Sequence, residues 1–240
     1  MIKVTRAADA PPSLAGKSKY DGRDVKKQLR HDFYTKCYLC ETNVKKGYEV
    51  EHLRAKAVHE DLKFEWTNLF LVCRNCNGIK SDRFPDTIID CCREDPETML
   101  IQRVHNGKLI IEARKLSDPA KQKMAEDTAK LLHECFYGRR PQKGGDWNAA
   151  LRQADKCAAL RAEVKEQIIE LCNLLCDYRK LRDQKADTRA QYKKISSMLS
   201  PSAEYAAFTR SFVRERLDLF PEFQEQVKID IDTSGCDGTV

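Results

Sequence analysis

Apolar residues recur at helical spacing in one short stretch near the start of the chain and through most of its second half. Val25, Leu29 and Phe33 fall on one face of a helix that the pattern starts at Asp21 and runs up to Cys37. The Asp21 carboxylate is placed to cap that helix. The stripe is expected to pack on the residues that follow, with Lys26, Lys27 and Arg30 on the other face. Ala10-Pro11-Pro12-Ser13 before it reads as extended, because a proline restricts its predecessor. At Tyr48-Glu49-Val50-Glu51 the period changes to two, which is a strand that delivers His52 near its end. Residues 77–82 read as a short polar helix, and 86–96 as irregular. Two β-prone runs, 99–104 and 109–112, flank His105-Asn106-Gly107-Lys108. Asn-Gly between such runs signals a hairpin, with His105 in its turn.

From Asp118-Pro119 the chain reads as helical almost to its end, since proline after an aspartate cap is a start signal. Met124, Thr128, Leu131 and Cys135 share one stripe. Gly138 and Gly144-Gly145 mark breaks, and Arg139, Arg140 and Lys143 between them are placed either to touch phosphate or to solvate a loop. A long helix is expected over 147–186, with Leu160, Val164, Ile168, Leu171, Leu175 and Tyr178 on its buried side. Cys172 and Cys176 beside that stripe read as small core residues. Ser200-Pro201 starts a further helix with Tyr205, Phe208, Phe212 and Phe220 on one side, and 230–240 is polar. The fold class is therefore α+β: a small cysteine-bearing unit with an N-terminal helix and an appended hairpin over 1–115, and a mostly helical scaffold or docking region over 116–240.

Composition changes this picture in two ways. Eleven cysteines in 240 residues raise the question of a disulfide scaffold. The length, the high charge and the absence of an apolar leader at the N-terminus favour free thiols in a reducing cytoplasm. No apolar run reaches membrane-spanning length. The net charge of +6 is uneven: residues 1–36 carry nine basic against four acidic side chains. A basic arm gains from displacing phosphate counterions, so nucleic acid is the partner it suits. No Gly-x4-Gly-Lys-Ser/Thr loop is present to bind a nucleotide.

The chemistry concentrates in 37–83. Cys37/Cys40 and Cys73/Cys76 are two Cys-x2-Cys turns, each able to put two sulfurs on one side of a tetrahedron, the set a structural Zn²⁺ requires. A redox dithiol needs only one such turn. The 32 residues between the pairs exceed the usual zinc-ribbon spacing and contain Glu51-His52. His59, in a charged run, reads as a surface residue, and the adjacent Cys91-Cys92 as buried thiols.

Taken together, Cys-x2-Cys, Glu51-His52-Leu53-Arg54-Ala55-Lys56, Trp66-x-Asn68-Leu69 and Cys73-x2-Cys76-Asn77-x2-Lys80 resemble the HNH endonucleases, the ββα-metal nucleases, in their four-cysteine form. The opening residues with Pro11-Pro12, and Arg83-Phe84-Pro85, further resemble the HNH nuclease subunit of the two-gene Septu anti-phage systems, also found in some retron operons. The resemblance implies His52 as general base and Glu51 and Asn77 as ligands of a catalytic divalent cation. It implies that Asn68 holds the backbone that orients His52. Lys80 and Arg74, with Lys26, Lys27 and Arg30, are then expected at phosphate. Asn77 stands where the family also uses His, which favours Mg²⁺ or Mn²⁺ over softer ions. The implied partner is an ABC/SMC-like ATPase. The alternative reading is a non-catalytic zinc-bearing nucleic-acid or protein adaptor, which keeps the four cysteines but has no use for Glu51, His52, Asn68 or Asn77.

Overall fold

The computed structural model describes residues 1–45, 47–84, 86–139 and 145–229 and shows a mixed α+β protein with two small antiparallel sheets. Helix α1 (Arg23–Asp32) buries Val25 and Leu29, and Phe33 directly after it is buried too. Its ends differ from the sequence expectation. Gly22, not Asp21, takes the N-cap position, and Asp21 instead pairs with Lys26 at 2.8 Å. The helix stops short of Cys37 because Tyr34 and Thr35 adopt left-handed φ values of 53° and 58°. Upstream, Pro11 is extended as expected, whereas Pro12–Leu14 form a 3-10 turn.

Strand β1 (Tyr48–His52) pairs with β2 (Leu69–Cys73) so that Tyr48 faces Cys73 and His52 faces Leu69. The sequence Leu69-Phe70-Leu71-Val72 has no period-two signal because both faces of β2 are covered. Helix α2 (Arg74–Lys80) follows at once, capped by the Cys73 sulfur, which accepts from the Cys76 N–H at 3.4 Å. It therefore starts three residues before the polar run that marked it in the sequence. A short helix, α3 (Pro96–Met99), leads into the hairpin β3 (Leu100–His105) and β4 (Lys108–Ala113). Asn106 and Gly107 take φ values of 47° and 69° at its turn, which only residues tolerant of the left-handed region adopt readily, and His105 closes the ladder opposite Lys108.

The second half is helical. Asp118 caps α4 (Pro119–Tyr137) through the Ala120 and Lys121 N–H groups, and Asp146 caps the 37-residue α5 (Trp147–Asp183) in the same way. Helices α6 (Arg189–Leu199), α7 (Ala206–Arg214) and α8 (Gln224–Val227) complete it. Ser200-Pro201 is not a helix start: the following residues turn, and α7 begins only after Tyr205, whose φ is 54°. Cys172 and Cys176 are exposed, on the flank of the buried stripe of α5 rather than in the core. No described helix is long and apolar enough to cross a membrane. Pro85, Arg140, Lys143, Gly144 and residues 230–240 lie outside the described residues.

Two apolar clusters hold these elements. The larger joins α1, β2, α2 and the β3–β4 hairpin to α4 and the first half of α5, so it crosses position 115. The smaller joins the distal half of α5 to α6, α7 and Phe223. Polar ties reinforce the join. The Tyr137 hydroxyl both donates to and accepts from the Leu109 backbone at 3.0 Å, Arg83 pairs with Glu134 at 2.5 Å, and the buried Lys36 ammonium donates to the Pro201 and Ala203 carbonyls at 2.6 Å.

Phe70 is the centre of this packing, with ring centroids 5.5 Å from Phe33 and 5.0 Å from Tyr38 and the Arg6 guanidinium 4.6 Å above it. Phe70→Ala is expected to lower the unfolding free energy by about 3–5 kcal/mol in denaturant titration, the cost of a cavity at a fully buried aromatic site.

Candidate metal centre and the adjoining histidine site

The four cysteines converge. Cys37 and Cys40 sit in a turn closed by Cys37 N–H to the Thr42 carbonyl at 3.0 Å, with Glu41 at a left-handed φ of 62°. Cys73 ends β2 and Cys76 lies in the first turn of α2. Their sulfurs all lie within 4.8 Å of one another, the spacing of a tetrahedral thiolate site, and three of the four residues are buried. They are the one group of three or more metal-ligating side chains so disposed among the described residues. The arrangement fits a structural ion such as zinc. Donation from Cys37 and the other sulfurs holds the Cys73 thiol far below its usual value, whereas hydrogen bonding to Cys37 and Cys73 drives Cys40 up. A thiophilic cation would replace these sulfur–sulfur contacts with four thiolates. A fifth thiol, Cys135 of α4, packs against Cys76 and is itself followed by Cys157, whose sulfur donates to the Cys135 carbonyl at 3.2 Å. Sequence spacing gave no hint of this outer layer, because both come from distant helices.

His52 lies at the far end of the same ribbon. Its Nε2 is 3.0 Å from the Lys63 carbonyl, which can only accept, so Nε2 carries the proton and Nδ1 keeps the lone pair. Burial, only partly offset by that carbonyl, lowers its pKa below the usual 6.5, aided by Lys56, Lys80 and Lys63 nearby. The ring is thus neutral at neutral pH. Tyr20 packs edge-on against it with centroids 4.5 Å apart, and Lys56 caps the Tyr20 ring. Tyr20 carried no motif signal, since it comes from the loop before α1.

Asn68 is buried behind the loop that follows His52. Its Oδ1 accepts from the Arg54 N–H at 2.7 Å, and its Nδ2 donates to the Arg54 and Leu62 carbonyls at 3.1 and 3.3 Å. Those bonds fix both ends of the loop around the imidazole. His59 meets Asp86 directly, with Arg54 4.0 Å from the same carboxylate, so it is a paired rather than a solvated surface residue.

The remaining candidates separate. Glu51 alternates away from His52 and faces α2, where the Lys80 ammonium stands 2.5 Å from its Oε1 and donates to the His52 carbonyl at 3.1 Å. Lys80 is 1% exposed and Glu51 6%. In this arrangement Lys80 does not face phosphate, which corrects the sequence expectation; the helix register turns its stem inward. Burial pushes the Glu51 carboxyl up to about 7, with the Lys80 ammonium drawing it back only in part. Neither Glu51 oxygen has a well-aligned hydrogen-bond donor. A buried carboxylate so placed calls for a cation, and in this structure the Lys80 ammonium is that cation. Asn77 donates through Nδ2 to Glu49 at 2.6 Å, which leaves its oxygen as the atom able to ligate. Arg74 is exposed and lies 3.6 Å from the same Glu49. Lys26, Lys27 and Arg30 line an open groove of about 700 Å³ with Lys19, Arg23 and Tyr48, so α1 does bring these three cations together.

The chain matches no family model and no curated protein.

The wild-type chain is expected to carry one tightly held zinc ion by elemental analysis. Cys73→Ser is expected to lose it and to melt roughly 10 °C or more lower, and a strong chelator at elevated temperature should bring the wild type to the same point.

Proposed function

We propose that this chain is a metal-dependent endonuclease of the HNH type that hydrolyses phosphodiester bonds of DNA or RNA. By resemblance, it would be the effector subunit of an anti-phage system acting with an ABC/SMC-like ATPase. The observation that carries the reading is His52. A neutral imidazole whose Nε2–H is held by the Lys63 carbonyl presents Nδ1 as a base, and Tyr20 beside it continues in sequence into the groove residues Lys19 and Asp21.

In this reading a phosphodiester lies along the groove, with Lys26, Lys27 and Arg30 neutralising its backbone. His52 Nδ1 takes a proton from a water molecule, whose oxygen attacks phosphorus in line. The bond from phosphorus to the 3′ oxygen breaks and that oxygen takes a proton from solvent water, giving a 5′-phosphate and a 3′-hydroxyl. Asn68 keeps the 53–62 loop, and so the imidazole, in place during proton transfer. Mg²⁺ or Mn²⁺ on Glu51 and Asn77 would supply charge relief at the phosphate and the departing oxygen.

A second reading, the zinc-bearing adaptor, is favoured by a different observation: Glu51 and Asn77 both have partners within the protein, Lys80 and Glu49. The two are separated by incubating the full chain, with any co-purifying partner, with plasmid, single-stranded DNA and total tRNA in Mg²⁺, Mn²⁺ or EDTA. The nuclease reading expects cation-dependent cutting that falls about 10²–10⁴-fold in His52→Ala, with zinc retained. Equal cutting by both proteins would overturn the role of His52. Because burial lowers the His52 pKa, the base stays deprotonated below its ordinary value, so the acidic limb of the rate profile is expected below pH 6.5.

A further inference from the structure

The Glu51–Lys80 pair sits where the proposed cation belongs. Lys80 Nζ is 2.5 Å from Glu51 Oε1, both side chains are buried, and neither carboxylate oxygen has a hydrogen-bond donor of good geometry. The ammonium is thus the one cation within bonding distance of Glu51 among the described residues. A divalent ion on the same carboxylate would stand within a few ångströms of it in a poorly screened interior, where like charges repel strongly.

We propose that Lys80 is a built-in competitor for the divalent cation: its ammonium holds the place on Glu51 that Mg²⁺ or Mn²⁺ would take, and the site loads only when Lys80 withdraws. The inference rests on the nuclease reading for the identity of the ion. Lysine suits the task, being a point charge on a flexible four-carbon stem. It is the last residue of α2, where the chain turns sharply at Ser81 with a φ of 48°. Asp82, exposed and close enough to Glu51 to disfavour its charge, is a carboxylate to which the ammonium can pass. Withdrawal also frees the His52 carbonyl, so loading the metal and releasing the end of β1 are one event. A subunit built this way is closed to the ion until something, such as a docking partner, favours the withdrawn lysine.

The test is Mn²⁺ binding to the zinc-loaded full chain without nucleic acid, read by the electron paramagnetic resonance signal of free Mn²⁺. Lys80→Met keeps the stem and removes the charge, and is expected to bind Mn²⁺ at least about tenfold more tightly than wild type. Lys80→Arg keeps the charge and should bind as weakly as wild type. Equal or weaker binding by a folded, zinc-containing Lys80→Met would overturn the proposal, as would no binding by any of the three. Should Lys80→Met fail to fold, the wild type is read directly by reductive methylation and mass spectrometry. Lys80 is expected to resist modification without Mn²⁺ and to be modified at saturating Mn²⁺. Continued protection with Mn²⁺ bound would overturn the idea. Tighter Mn²⁺ binding by Lys80→Met without any cleavage activity would count against the nuclease reading alone. Cleavage that depends on His52, with Mn²⁺ affinity indifferent to Lys80, would count against the competition alone.

Discussion

Four sulfur atoms within 4.8 Å of one another are the constraint on which the first half of the molecule depends. Thiols crowded into an apolar core have no comfortable protonation state. Deprotonated they repel, and protonated they are weak donors with few acceptors. A bound cation would resolve both problems and tie three pieces of chain together: the 37–40 turn, the end of β2 and the first turn of α2. The ribbon then transmits that anchorage. Cys73 is paired with Tyr48 at one end of five rungs and Leu69 with His52 at the other, so the histidine is held at a fixed distance from the cluster by backbone hydrogen bonds.

The two faces of β1 do different work. On one, Glu49 and Glu51 look towards α2 and meet Asn77 and Lys80; on the other, His52 meets Tyr20 and the Lys63 carbonyl. A buried ion pair such as Glu51–Lys80 is weak evidence of stabilisation, since desolvating both charges offsets most of their attraction. Its value lies in geometry. It specifies the register of α2 against β1, because a slip of one residue would leave a charge buried and alone.

The basic character of the N-terminal segment divides in the same manner. Arg6 lies over Phe70 and Trp66 and donates to the Leu69 carbonyl, and Lys36 is buried on carbonyls from 201 and 203. These cations hold the fold together and are not available to a ligand. Lys26, Lys27 and Arg30 remain on the groove side of α1, where Asp21 moderates them by pairing with Lys26. A count of charges along the sequence could not make this division, because it depends on which aromatic rings and carbonyls each side chain meets.

Much of the architecture was legible in local pattern. The helical stripes of α4 and α5, the aspartate cap of α4, the Asn-Gly hairpin and the two Cys-x2-Cys turns each rest on interactions within a few residues, which the sequence by itself determines. The spacing of those turns also picked out Cys37, Cys40, Cys73 and Cys76 as one group. The tertiary structure alone decided the rest. Strand β2 was silent because burial on both faces erases the alternation, and α1 stopped early because two left-handed residues follow it. The inward turn of Lys80, the exposure of Cys172 and Cys176, and the packing of Tyr20 and Cys135 against the two sites all depend on elements distant in sequence. Periodicity assigns a residue to a face, but only packing decides what that face meets.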